Sequence, residues 1–477
     1  MKFVIALAGA LSFSCNVKAQ CSAHPVSVTH QSSTAFPLPK QCMTAVHDRL
    51  GRPYLYVAGK ERGLLVYNVS SIGAPVLVDS VTVASLNALE LMSVSQDGNY
   101  LYLALGNVFN NASVPGMAIV DVTVPTSPVL KSVWKYHVQS GGAGIIKAEG
   151  NYAYLGAMRR GLMIFDISDK TNPVLQSIFK PSNSFPNPTN PDSLKYNARG
   201  LAVRSSIVYL CDDAGGVRVI NATNKSAPVE TGHFSNPAVY NRPRAYNNLV
   251  LDDTLLYVAV DYCGMEILSV ADTANIHMVG WWNPWHCESL SNTWFNSPGH
   301  TNEIHFDPGC KDVFMSSGKS EINVVNVSNP ASPDSCTKYS SPGGNVGVWG
   351  LDLYQDQVYA CYIYVPLGIP FFSNWSGVKS FTWNNCTTAQ VPLSVPGQGP
   401  DVYPNPAGGS FNIHISKAPG TEVLVSLYDI IGARVYHAAF EHQGELVVHP
   451  GKILPGNYFV EIKYDNTTFY KRLTLAY

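Results

Sequence analysis

The chain has 477 residues, 46% of them hydrophobic and 13% charged, with a formal net charge of -2. That length exceeds one ordinary domain, the apolar share suffices for buried cores, and the near-neutral balance excludes the basic surface that nucleic acid demands. Aromatic residues at 11%, with 38 Gly and 32 Pro and few helix-length periodic runs, point to an all-β protein.

At the N-terminus, Met1 and Lys2 precede an apolar run from Phe3 to Phe13, and Ala19 stands before Gln20. A charged start, an apolar core and a small residue at the cut read as a signal peptide over residues 1–19. The run is too short to span a bilayer, and no later stretch is long and apolar enough. The residues before Cys15 and Cys21 fit lipid attachment poorly, so free cleavage is expected. Of the 10 cysteines, all but Cys15 follow the cut. An exported chain meets an oxidising compartment, so disulfides are expected. Cys361 and Cys386 lie at adjoining ends of neighbouring strands and are expected to pair. Cys310 with Cys336 and Cys21 with Cys42 follow from proximity along the chain. No Cys-X-X-Cys pair suggests zinc.

From residue 55 a phased repeat begins. Its first mark is a strand centred on an aromatic: Leu55-Tyr56-Val57, Leu101-Tyr102-Leu103, Ala153-Tyr154-Leu155, Val208-Tyr209-Leu210, Leu256-Tyr257-Val258, Val313-Phe314-Met315 and Val358-Tyr359-Ala360. A second strand follows each. It opens on Gly63, Gly116, Gly161, Gly216, Gly264 or Gly377, with Glu321 in the sixth copy, and closes on Asn, Asp or a hydroxyl. Gly permits a tight start, and Asn or Asp initiates the exit turn. Then comes Pro75, Pro128, Pro173, Pro228 or Pro333, ahead of another short strand; copies five and seven lack this Pro. A further apolar piece precedes each aromatic strand, for example Gly200-Leu201-Ala202-Val203. Each unit thus supplies four antiparallel strands in about 50 residues, and stacking the units radially buries their faces. Seven units predict a seven-bladed β-propeller over residues 20–386.

Runs such as Gly161-Leu162-Met163-Ile164-Phe165-Asp166-Ile167-Ser168 followed by Pro173-Val174-Leu175 resemble the LVIVD repeat of bacterial and archaeal surface proteins. The resemblance spans residues 40–386, strongest in the first four copies. It implies a surface-exposed propeller and no defined activity.

Residues 387–400 are uncharged and end in Pro and Gly, so they read as a linker. Residues 401–477 carry alternating strands around Phe411–Ile415, Val423–Tyr428 and Tyr458–Ile462, with turns at Gly432 and Gly456, which predicts a small Ig-like β-sandwich. Tyr403-Pro404-Asn405-Pro406, Leu427-Tyr428-Asp429, Leu454-Pro455-Gly456-Asn457-Tyr458-Phe459 and Lys471-Arg472-Leu473-Thr474-Leu475 resemble, in order, the C-terminal sorting domain of type IX secretion substrates. That resemblance implies a Bacteroidetes-type source and passage through the periplasm. It also implies engagement of the type IX machinery and removal of the tail, leaving the protein secreted or on the outer cell surface.

Propellers bind at one end of the central channel. Segments entering the innermost strands carry Arg199, Arg244, His300, Glu303 and Trp349, the candidate channel-mouth residues. The Arg pair suits a carboxylate or sulfate; inter-blade hydrogen bonding is the alternative role. Glu303 and His305 share a strand face but lack further metal ligands at a suitable spacing. Asp212, Asp213 and Asp261 read as turn formers. Trp281, Trp282 and Trp285, close to Trp294 and Phe295, form an aromatic cluster that could stack on a sugar, anchor a partner or fill space under a long insertion. No nucleophile elbow, P-loop, HExxH or dinucleotide fingerprint is present, so neither cofactor nor metal is expected. The leading expectation is a binding module for a glycan or protein ligand. The alternative is a secreted hydrolase or lyase acting on a polymer at the channel mouth.

Overall fold

The structure, a computed structural model, describes residue 21 and residues 23–186, 195–384, 400–415, 420–429, 434–441, 445–451, 453–465 and 467–476. The leader, Cys15, Gly432, Cys386 and the linker apart from Pro400 lie outside these. The chain divides into two compact units, residues 1–386 and 387–477.

Among the described residues the first unit holds seven four-stranded antiparallel sheets. Their innermost strands are Thr44–His47, Leu91–Asp97, Ile145–Glu149, Gly200–Arg204, Tyr246–Asp252, Glu303–Asp307 and Val348–Tyr354. Each packs against the next, and the last packs against the first, which closes a ring. The central aromatics lie on the second strands, where Tyr56, Tyr102, Tyr154, Tyr257, Phe314 and Tyr359 are fully buried between sheets. Such rings fill inter-sheet space that no single sheet could hide.

The Gly that opens the third strand is required by geometry. Gly63 has φ +77°, and a Cβ there would lie 2.1 Å from the Val81 carbonyl oxygen on the fourth strand. In the sixth sheet Glu321 takes the same left-handed conformation at φ +52°. Its buried carboxylate accepts hydrogen bonds from the Tyr362 hydroxyl at 2.6 Å and the Ser341 hydroxyl at 2.9 Å, partners that a Gly could not hold.

The seventh sheet takes its outermost strand from the other end of the chain. Val28–Ala35 pairs antiparallel with Gly377–Trp383, from Val28 opposite Trp383 to Ala35 opposite Gly377. Copy seven therefore needs no Pro, because no outer strand follows it. In copy five the position holds Ile276, which is buried.

The disulfides differ from those expected. Cys21 bonds Cys336, and Cys263 bonds Cys287. Cys42, Cys211 and Cys361 are buried thiols. Cys21 cannot reach Cys42 because the N-terminal strand carries it along the last sheet towards the sixth. That leaves Cys336 unavailable to Cys310, whose sulfur is itself in a disulfide. Cys361 lies next to the end of the second strand of the seventh sheet, Gln357–Tyr362, and packs with Cys42 in the core between the last and first sheets.

The second unit is a two-sheet sandwich. Asp401–Tyr403, Phe411–His414 and Glu445–Val448 form one sheet, and Arg434–Glu441, Glu422–Tyr428, Gly456–Tyr464 and Thr467–Leu475 the other. Phe411, Ile413 and Val448 from the first meet Val425, Val460 and Leu473 from the second in one core.

Candidate ligand site in the central channel

Strand register decides which side chains reach the channel. The residue two past each central aromatic pairs with an innermost-strand residue: Gly156 with Ile145, Cys211 with Gly200, Ala259 with Asn248, Ser316 with Glu303 and Cys361 with Gly350. Thr44 and Ser93 are the equivalents in the first two sheets. The residue before each of these forms one ring: Met43, Met92, Gly144, Arg199, Asn247, Asn302 and Trp349. All seven line a cavity of about 60 Å³ at the channel mouth. A second cavity of about 310 Å³ shares Thr44, Ser93, Ile145, Asn248 and Glu303 with it and continues to Ser95, Lys147 and His305. The ring is tight where inner strands meet. A Cβ on Gly350 would lie 2.1 Å from the Met43 carbonyl oxygen, and one on Gly200 2.4 Å from the Asn248 Cα.

At the mouth the Arg199 guanidinium lies 5.7 Å from the Trp349 ring centroid, and Phe109 meets that ring edge-on at 5.2 Å. Asn247 Oδ1, Ser93 Oγ and Ser95 Oγ are buried without a hydrogen-bond partner among the described residues. Burial pushes the Asp213 carboxyl up to about 6, opposed by Arg199 and by a hydrogen bond from Asn197 Nδ2 at 2.8 Å. In the larger cavity, burial pushes Glu303 up to about 7, opposed by Lys147 and by a hydrogen bond from Asn248 Nδ2. Burial lowers Lys147, opposed by Glu303. Burial also holds His305 down to about 4, so it is neutral at pH 7; its Nε2 lies 4.0 Å from Asp352. Asp352 accepts from the His47 backbone at 2.7 Å and pairs with Arg49. The channel therefore offers cations, amides and hydroxyls beside two acids of raised proton affinity, Asp213 and Glu303.

Residues 401–476 match the family model described as a secretion system C-terminal sorting domain. Residues 53–83, 90–135 and 140–180 match the LVIVD repeat. The chain thus carries LVIVD repeats in its propeller and a secretion system C-terminal sorting domain at its tail. Solved propellers share its fold. The RRP9 WD40 repeats superpose with a TM-score of 0.55 at 10% identity, over 75% of this chain and 100% of that one. The Cps50 (Swd1) β-propeller domain of Myceliophteria thermophila gives 0.51 at 10%, over 75% and 99%. A chain of the mitotic checkpoint complex gives 0.50 at 13%, over 79% and 99%. Identities this low carry fold alone. No curated protein matches the chain.

In this LVIVD propeller, Arg199, Glu303 and Trp349 meet at the mouth. Arg244 is drawn elsewhere: its Nε donates to the Ala214 carbonyl at 3.0 Å and its Nη1 to the Tyr240 carbonyl at 2.8 Å. His300 is buried, with Nδ1 2.6 Å from Asp261, which also accepts from Trp294 Nε1 at 2.6 Å. Asp261 thus anchors an insertion as well as forming a turn. Trp281 Nε1 donates to the Cys263 carbonyl at 3.0 Å, and the buried Trp282 donates to Ser335 at 2.7 Å and meets Trp285 edge-on. Trp285 lies flat against Gly299, where a Cβ would come within 2.0 Å of its ring. Lys147, Asn247, Asn248, Asn302 and Asp352 had no mark of their own in the sequence. Aligning the copies on the residue two past each aromatic, and reading across the ladder, would have found them. His24, Cys310 and Asp312 come close enough to suggest a metal site, but the Cys310 sulfur is in a disulfide.

Proposed function

We propose that this chain is an exported binding module that takes a polar ligand at the channel mouth. The sorting tail implies export by the type IX system to the surface or beyond. In this reading the leader is cut after Ala19, the chain crosses the periplasm, the tail engages the secretion machinery and is removed, and the propeller carries the function. The observation behind the binding role is the stacked Arg199–Trp349 pair beside Asn247, whose buried Oδ1 has no partner among the described residues. A buried polar atom without a partner is costly, and a ligand hydroxyl or amide relieves that cost. A glycan supplies hydroxyls for the amides and an apolar ring face for Trp349. Glycoside hydrolysis calls for two opposed carboxylates, and Glu303 is the only acid among the described lining residues of either cavity, so the enzymatic alternative draws no support from them.

The test is a thermal-shift screen of the exported protein against glycans and small polar molecules. A hit should shift the wild type and lose about tenfold or more in affinity in Trp349→Ala and Arg199→Gln. Hits indifferent to both substitutions, or no hit, would count against the reading.

A further inference from the structure

The larger cavity holds a cation, Lys147, whose main electrostatic partner is Glu303 of the same lining, although no hydrogen bond or close ion pair joins the two. Among the described residues Lys147 makes no hydrogen bond and no close ion pair, although it faces the chamber. The acids around it are already engaged. Asp352 accepts from the His47 backbone and pairs with Arg49, and Glu303 accepts from Asn248. Ser95 Oγ, on the same register level as Lys147, is buried and unpartnered. The neutral imidazole of His305, also at that level, lines the same chamber. An ammonium in a confined, half-desolvated space is stabilised only by an acceptor of negative charge. At about 310 Å³ the space falls within the size range of small-molecule pockets.

We infer that this chamber binds a small organic carboxylate, its oxygens on the Lys147 ammonium and the Ser95 hydroxyl. One cation without a close ion pair matches one negative charge, which favours a monocarboxylate over a phosphate dianion. The inference rests on the reading of the channel as a ligand site but not on what occupies the mouth.

The probes are glucuronate, glucose and inorganic phosphate, titrated calorimetrically into the exported protein. Glucose repeats the shape of glucuronate without the charge. Glucuronate should bind about tenfold or more tighter than glucose and phosphate, and Lys147→Met should abolish that preference while leaving the melting temperature within a few degrees. If Lys147→Met fails to fold, Ser95→Ala should weaken glucuronate alone. Equal binding of glucose and glucuronate, tighter binding of phosphate, or no binding of glucuronate would overturn the inference. A neutral glycan that binds in a Trp349-dependent way, with glucuronate silent, would sink this inference and keep the mouth reading.

Discussion

Cys21 is bonded to Cys336 across 315 residues of sequence. The bond ties the segment leading into the N-terminal strand to Asp334–Tyr339, the outermost strand of the sixth sheet, while that N-terminal strand itself completes the seventh. Ring closure is thus held twice, by a ladder of backbone hydrogen bonds and by a covalent tie. Because the loop is long, the tie acts mostly on the unfolded chain. Cys21→Ser with Cys336→Ser should lower stability by roughly 2–4 kcal/mol in chemical unfolding. Reductant should weaken the wild type more than that double variant, whose remaining response comes from the Cys263–Cys287 bond and the disulfide of Cys310.

The Asp261–His300 contact predicts a different loss. Asp261 accepts from both His300 and Trp294, so it fastens the insertion that carries the tryptophans. Asp261→Ala would leave a buried imidazole and an indole N–H unpaired, at about 1–3 kcal/mol for the pair of lost bonds. Tryptophan fluorescence should red-shift as Trp294 gains water, before the main unfolding transition.

The buried thiols should be silent. Cys42, Cys211 and Cys361 have no exposed area, and burial raises the Cys211 and Cys361 thiols well above their ordinary range. Iodoacetamide at pH 8 should label none of these three in the folded protein within an hour. In denaturant without reductant, mass spectrometry should find all three alkylated.

Acids with raised proton affinity set the pH dependence. Glu266 is fully buried and pushed from 4.5 up to about 7, by burial first, opposed by hydrogen bonds from Asn236 and Tyr246. Burial likewise pushes Glu303 and Asp212 up to about 7 and Asp213 to about 6. A group whose folded pKa lies above its unfolded value binds more protons folded than unfolded between the two. Stability therefore falls as pH rises through that window, from about 4.5 to 7. Burial lowers His305 to about 4 and also lowers His47, which works the other way up to about pH 6.5, so the melting temperature should drop most clearly from pH 6.5 to 7.5, and Glu266→Gln, which keeps an acceptor for Tyr246, should reduce that drop.

Much of the propeller was legible because its marks repeat. Tyr56 and its counterparts, the φ-positive Gly63 and Gly161, and Pro75 with its equivalents each impose one local geometry, and their phase gives the strands. The N-terminal strand was not legible. Val28–Ala35 is largely polar and half exposed, and its partner lies some 350 positions away. The missing Pro of copy seven was its only trace. At the site, Arg199 was found because it directly precedes its inner strand, and Trp349 because it stands next to the Gly350 that marks the seventh. Arg244 was misplaced because the fifth inner strand bulges between Tyr246 and Asn248, which puts Asn247 in the ring position. Lys147 was missed because a lone Lys inside a strand usually faces solvent, and only ring closure turns this one inward.

The most direct test of the account is hydrogen–deuterium exchange on the exported protein with and without a ligand found by the screen. The account predicts protection at the segments that enter the innermost strands, around 43–44, 92–93, 199–200, 247–248, 302–303 and 349–350. Protection confined to residues 281–295, or to the outer strands, with the ring segments unchanged, would contradict it.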